Sequence, residues 1–167
     1  ASKVVPDAIT KNGGQPLYNR VGHSYIKKRM IEETAVFGGE VSGHYYFSDF
    51  YHCDSGIITL IYLLDYLSQS PRTLDQIVDE MESKYFISGE INSQVADVQA
   101  TLQKAELAYQ SQSKQVLKVD GISMEFDGWR FNLRGSNTEP LIRLNLEATS
   151  RELMEQKRDE VLTLIRS

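Results

Sequence analysis

Two short stretches of this chain gather side chains suited to chemistry. The first is Arg134-Gly135-Ser136-Asn137-Thr138-Glu139-Pro140. A phosphate group presents several acceptor oxygens and a negative charge. Arg answers with a forked, charged donor, and Ser, Asn, Thr and backbone N–H groups answer the remaining oxygens. Strand-like segments flank the run, residues 128–133 before it and 141–147 after it. Gly, Ser, Asn and Pro are also the commonest turn residues, so the stretch taken alone also describes an ordinary hairpin turn.

The second stretch places Glu40, Ser42 and His44 at a spacing of two. In an extended segment alternate side chains share a face, which would set a carboxylate, a hydroxyl and an imidazole side by side. Gly38 and Gly39 ahead of them leave room for a ligand to approach the backbone. A carboxylate beside neutral donor–acceptors suits a polyol, whose hydroxyls both donate and accept. The same spacing also describes the exposed polar face of an edge strand.

Other candidates carry less. His23 follows Gly22 at a helix start and reads either as a ligand contact or as a helix-start residue. His52-Cys53-Asp54 matches no zinc spacing, so no metal site is expected. There is no P-loop, no dinucleotide fingerprint, and no Ser-His-Asp or Cys-His arrangement. Lys27-Lys28-Arg29 reads as a solvated helix face, and Tyr45-Tyr46-Phe47 as core.

Composition bounds the partners. The 167 residues carry a formal net charge of −5, which argues against broad nucleic-acid or anionic-membrane binding. Cys53 is the only cysteine, in keeping with a reducing cytosol, and a cytoplasmic location is expected. No apolar run approaches the roughly 20 residues that span a bilayer.

The elements that must position these residues change character along the chain. Helix alternates with short strand up to about Tyr85. An expected helix over 4–11 is followed by a strand over 15–20, a helix over 24–33, a strand near 35–37, and a strongly apolar, buried helix capped by Asp54 or Ser55. Another helix begins at Thr73. This is an α/β layer pattern. Beyond it come a strand near Ile91, a helix over 95–109, strands flanking Asp120-Gly121, two strands around the Arg134 run, and a helix over 151–166. That is a small α+β unit with an antiparallel four-stranded sheet and two helices. The division is placed at 1–86 and 87–167.

In this order the two stretches resemble the α-D-phosphohexomutase superfamily, most closely its bacterial phosphomannomutase/phosphoglucomutase branch. The matching segments are residues 21–27, 38–44 (Gly-Gly-Glu-Val-Ser-Gly-His), 54–57 (Asp-Ser-Gly-Ile) and 129–140, which ends in Arg-Gly-Ser-Asn-Thr-Glu-Pro. The resemblance implies most of that family's third domain, an α/β unit with a mixed sheet, followed by its fourth, a TBP-like α+β unit. It implies that Glu40, Ser42 and His44 form the sugar-recognition loop, with His23 a further sugar contact. It implies that Arg134, Ser136, Asn137 and Thr138 grip the phosphate that is not being transferred, with Gly135 at a variable position of that loop.

Family enzymes interconvert hexose 6-phosphate and hexose 1-phosphate through a phosphoserine and a bisphosphorylated intermediate. The expected partners are therefore mannose or glucose phosphates. The family's phosphoserine loop and its Asp-rich magnesium loop are both absent from these 167 residues. The chain is thus expected to be a C-terminal fragment with no catalytic residue, no bound cofactor and no mutase activity of its own. Mg2+ and a hexose 1,6-bisphosphate activator are expected for the full-length enzyme. Self-association through an incomplete third-domain sheet is a further expectation. A phosphoglucosamine mutase is the alternative within the family, although such enzymes usually carry Gly where Asn137 stands. A non-catalytic phosphosugar-binding module is the alternative outside it.

Overall fold

Short polar side chains set several of the helix starts. Ser55, Asp97 and Ser150 stand in extended backbone just before a helix. Each accepts a hydrogen bond from the amide three residues on, Ile58 at 3.2 Å, Ala100 at 2.9 Å and Leu153 at 3.2 Å. Each thereby satisfies a donor that the first helical turn cannot. The computed structural model describes residues 2–136 and 139–167. The chain divides into two units, Lys3–Met81 and Glu82–Ser167, a few residues ahead of the expected 86/87 division.

The first unit runs α1 (Val4–Lys11), α2 (His23–Glu32), β1 (Phe37–Gly39), β2 (Tyr45–Phe47), a 3-10 turn (Ser48–Phe50), β3 (Cys53–Asp54), α3 (Gly56–Gln69) and α4 (Leu74–Glu82). Its sheet has the order β1-β2-β3. It is antiparallel throughout rather than mixed, because each strand follows the last through a tight connection and no parallel neighbour stands among the described residues. Ile26 and Met30, one helical turn apart on α2, pack with Tyr46. The absence of a side chain on Gly38 lets α2 come this close: a Cβ there would lie 3.1 Å from both Ile26 Cγ2 and Met30 Sδ.

Two expectations for this unit are corrected. Residues 15–20 form no strand; Pro16 lacks an N–H, and the Arg20 guanidinium instead sits 3.9 Å over the Tyr25 ring. Helix α3 was expected to be buried, yet none of its residues is, and Ile57 and Ile61 are 74% and 60% exposed. It meets the sheet along one side only, where Tyr62 stacks on Phe47 at 5.7 Å.

The second unit runs β4 (Phe86–Gln94), α5 (Val98–Tyr109), β5 (Gln115–Leu117), β6 (Ile122–Glu125), β7 (Trp129–Gly135), β8 (Leu141–Ala148) and α6 (Arg151–Arg166). Its sheet is antiparallel as expected but has five strands, in the order β4-β8-β7-β6-β5. The fifth is β4, which contains Ile91 and forms an edge along β8. Asp120-Gly121 turns between β5 and β6 with Gly121 at φ 68°. A Cβ there would come within 2.1 Å of the Leu133 carbonyl, so only Gly fits.

Alternation along β7 and β8 sends Trp129, Phe131, Leu133, Ile142, Leu144 and Leu146 into the core with residues of α5 and α6. Arg130, Asn132, Arg134, Arg143 and Asn145 go to the opposite face. No helix among the described residues is long and apolar enough to cross a membrane.

Candidate functional site

The first unit builds its polar site on the hairpin joining β1 to β2. Residues 40–44 form the loop: the Glu40 N–H donates to the His44 carbonyl at 2.9 Å, and the Gly43 N–H donates to the Glu40 carbonyl at 3.0 Å. Gly43 takes φ 86°, a left-handed conformation for which Gly carries no penalty. Glu40, Ser42 and His44 thus lie in a tight loop rather than the extended segment that spacing suggested. The turn brings them together all the same. Ser42 Oγ lies 3.4 Å from Glu40 Oε2 and 3.0 Å from His44 Nδ1.

Tyr46 anchors this group. It is almost fully buried, and its hydroxyl donates to Glu40 Oε1. Burial, and then the Glu40 carboxylate beside it, push the phenol well above its ordinary pKa, so it remains a donor. The ring of His23, the first residue of α2, lies 5.6 Å from the Tyr46 ring, centroid to centroid. Of the four expected residues, Glu40 and His23 meet the buried tyrosine directly, and Ser42 and His44 join the group through Glu40. Sequence reasoning placed Tyr46 only in the core. The signal it missed is that a buried tyrosine hydroxyl requires a partner, and a carboxylate stands on the same hairpin. A carboxylate held on one oxygen by a phenol, beside an exposed hydroxyl and imidazole, is suited to accept from and donate to neighbouring hydroxyl groups.

Elsewhere in this unit, Lys27 Nζ lies 3.5 Å from Cys53 Sγ. Lys28 and Arg29 pair along α2 with Glu32 and Glu33. No group of three His, Cys, Asp or Glu side chains able to hold a metal occurs among the described residues.

The second unit places Arg134 near the end of β7, with Gly135 as its last residue. The Ser136 N–H donates to the Leu141 carbonyl at 2.9 Å and closes the base of the loop. Asn137 and Thr138 lie outside the described residues. Gly135 belongs to the strand and packs against the start of α5: a Cβ there would lie 2.6 Å from Val98 Cγ1.

Arg134 Nη2 donates to Glu90 Oε2 at 3.0 Å, and its Nη1 is 4.0 Å from Asp120 Oδ2. Directly across the ladder, Arg143 donates through Nη1 to Glu90 Oε1 at 2.9 Å. One carboxylate therefore bridges two guanidinium groups. Burial alone would raise the Glu90 pKa, but the hydrogen bond and charge of Arg134, the charge of Arg143 and a bond from Asn145 together hold it below the usual carboxylate range. Sequence reasoning singled out neither Glu90 nor Arg143, and placed the second only within a strand flanking the Arg134 run.

Comparisons with known proteins agree over both units. Residues 1–85 match the family described as phosphoglucomutase/phosphomannomutase, alpha/beta/alpha domain III, and residues 90–164 match its C-terminal domain. A phosphomannomutase of Vibrio cholerae is 43% identical over 96% of this chain and 35% of its own length. One from Methanocaldococcus jannaschii is 42% identical over 98% of this chain and 36% of its own length. A crystal structure of a phosphoglucomutase/phosphomannomutase family protein from Burkholderia thailandensis superposes with a TM-score of 0.82 at 26% identity, covering 98% of this chain and 35% of that one. The chain thus spans about a third of the length of the relatives it matches. With both units matched in order, the chain belongs to the phosphoglucomutase/phosphomannomutase family.

Proposed function

We propose that this chain is the substrate-binding part of a phosphohexomutase that interconverts hexose 6-phosphate and hexose 1-phosphate. In this reading Glu40, Ser42, His44 and His23 meet the hydroxyls of the sugar. Arg134, with Ser136, Asn137 and Thr138 of its loop, meets the phosphate that is not transferred. The observation that carries the reading is the gathering of Glu40, Ser42 and His44 on one tight hairpin, with the Glu40 carboxylate held by Tyr46.

The contribution of these residues to the reaction is positional. Glu40 accepts from adjacent sugar hydroxyls, Ser42 and His44 fill the remaining donor and acceptor positions, and the arginine fixes the remote phosphate by charge and forked geometry. Binding energy realised at such contacts can be used to orient the reacting phosphate elsewhere in the enzyme. Magnesium and a hexose 1,6-bisphosphate activator belong to the full-length enzyme in this proposal. The described residues offer no three-ligand cluster for a cation. Without a phosphoserine loop, the chain alone is expected to give no turnover in a mutase assay that the full-length parent passes.

Calorimetric titration with mannose 1-phosphate, glucose 1-phosphate and inorganic phosphate tests the reading. Glu40→Gln is expected to weaken hexose phosphate binding more than inorganic phosphate binding. Equal losses for the two ligands would remove Glu40 from the sugar site.

A further inference from the structure

Each proton in the 40–44 loop can be traced to an acceptor. Tyr46 gives its hydroxyl proton to Glu40 Oε1. The Glu40 N–H and the Gly43 N–H are spent on carbonyls of the same loop, at 2.9 and 3.0 Å. That leaves Ser42 Oγ, which has one proton and two neighbours, Glu40 Oε2 at 3.4 Å and His44 Nδ1 at 3.0 Å. A carboxylate only accepts, a hydroxyl both donates and accepts, and a neutral imidazole has one nitrogen of each kind.

Two assignments are open to this pair of contacts. If Ser42 donates to His44, Nδ1 is bare and a hydroxyl lone pair faces the Glu40 carboxylate, which sets two acceptors against each other. If Ser42 donates to Glu40, that bond is charge-assisted, and the hydroxyl can in turn accept from an N–H at Nδ1. The second assignment satisfies both contacts and the first only one. It also runs in a single direction, from His44 through Ser42 to the negative charge of Glu40, so each bond polarises the next. The left-handed Gly43, at φ 86°, and the two backbone bonds of the loop hold residues 40, 42 and 44 in this sequence of contacts.

We propose that Ser42 is a positioning residue that fixes His44 as its Nδ1–H tautomer, so that His44 offers a bare Nε2 to the ligand and takes a hydroxyl that donates to it. This deepens the proposed function and rests on the reading of the hairpin as a sugar site. The tautomer of an imidazole is set by the partner of its other nitrogen, and here that partner is a hydroxyl whose own proton is already committed to Glu40. The donors traced above are spent within the hairpin. What remains for a ligand is the Glu40 carboxylate, the second lone pair of Ser42 and His44 Nε2, and all of these accept. A polyol suits such a face because each of its hydroxyls can donate. A group that only accepts, such as a ring ether oxygen, finds no partner there. Ser42 thus acts through His44 as well as through its own remaining lone pair.

Long-range proton–nitrogen NMR of the imidazole rings tests this on the full 167-residue chain. The spectra are taken at about pH 8.5, where an ordinary imidazole is neutral. The chain has three histidines, His23, His44 and His52, and the signals lost in His44→Gln identify the one in question. The wild type is expected to show the Nδ1–H pattern at His44. Ser42→Ala is expected to lose it in favour of Nε2–H, while Ser42→Thr, which keeps the hydroxyl, retains it. Ser42 is exposed, so both variants are expected to fold, and melting curves establish that they do. An Nε2–H pattern in the wild type, or an unchanged Nδ1–H pattern in Ser42→Ala, would overturn the proposal. Glucose 1-phosphate is expected to shift the signal of the bare Nε2 without changing the tautomer, and to bind Ser42→Ala severalfold more weakly than the wild type. Shifts in the hairpin amides with none at His44 Nε2 would overturn the acceptor role and leave the proposed function standing. No response anywhere in the hairpin would remove the sugar-site reading and the acceptor role with it.

Discussion

The hydroxyl of Tyr46 donates to the carboxylate of Glu40, six residues earlier on the same hairpin, and so links the small core of the first unit to its polar loop. The ring belongs to the core with Ile26 and Met30, while the oxygen sets the direction of the one charged group in the loop. Tyr46→Phe should therefore leave packing nearly intact and free the Glu40 side chain. A loss of about 1 kcal/mol in stability is expected, typical of one hydrogen bond. Hexose phosphate binding should weaken severalfold, with inorganic phosphate binding unchanged. Paired calorimetric titrations check this, and undiminished hexose phosphate binding would show that the phenol does not orient Glu40.

Glu90 should make the second unit sensitive to acid. Its folded-state pKa is lowered, because Arg134, Arg143 and Asn145 together outweigh the effect of burial. A carboxylate depressed in this way binds fewer protons folded than unfolded. Its contribution is thus complete above the unfolded value of about 4.3 and is lost as pH falls through the lower folded value. The melting-temperature advantage of wild type over Glu90→Gln should be constant near neutrality and shrink below about pH 4. A difference that does not change with pH would mean the ion pairs contribute nothing to folding.

Gly135 is a packing position as well as part of the loop sequence. Gly135→Ala places a methyl 2.6 Å from Val98 Cγ1 and should destabilise the second unit by about 1–3 kcal/mol. Val98→Ala in the same chain should recover much of that loss. Denaturant unfolding of the two single variants and the double variant measures it, and strict additivity would show that the clash is absorbed elsewhere.

Protection from hydrogen exchange should differ between the units. The first rests on Ile26, Met30 and Tyr46, while the second holds a continuous core around Phe131, Leu133, Ile142 and Leu144. Amides of α3 should exchange faster than those of β7 and β8, since helix stability depends on burying an apolar face and α3 buries little of its own. Self-association that covers the exposed side of α3 would protect it at high protein concentration. Exchange measured across a concentration series separates the two outcomes.

Much of this architecture is local and was therefore legible from residue order. The helix cap at Ser55, the Asp120-Gly121 turn and the alternating strands β7 and β8 depend on neighbours within a few positions. The residue types at 40, 42, 44 and 134 are likewise local information, and they suit a polyol and a phosphate as well as an edge strand and a turn. Long-range relationships were not legible. The burial expected for α3 failed because an apolar helix is buried only where another surface meets it, and amphipathicity does not say whether one does.

Glu90 shows the same limit at the site. Whether it faces core or arginine depends on a single inserted residue at Ser88-Gly89, which changes the parity of every later position in β4. The pairing of Arg134 with Arg143 depends in turn on a hairpin register. By itself the sequence determined which groups are present and which turns and caps they favour, because those preferences act over a few bonds. Tertiary structure alone decided that Tyr46 orients Glu40 and that Glu90 joins two arginines, because each side chain's neighbours were chosen by register, bulge and packing between segments.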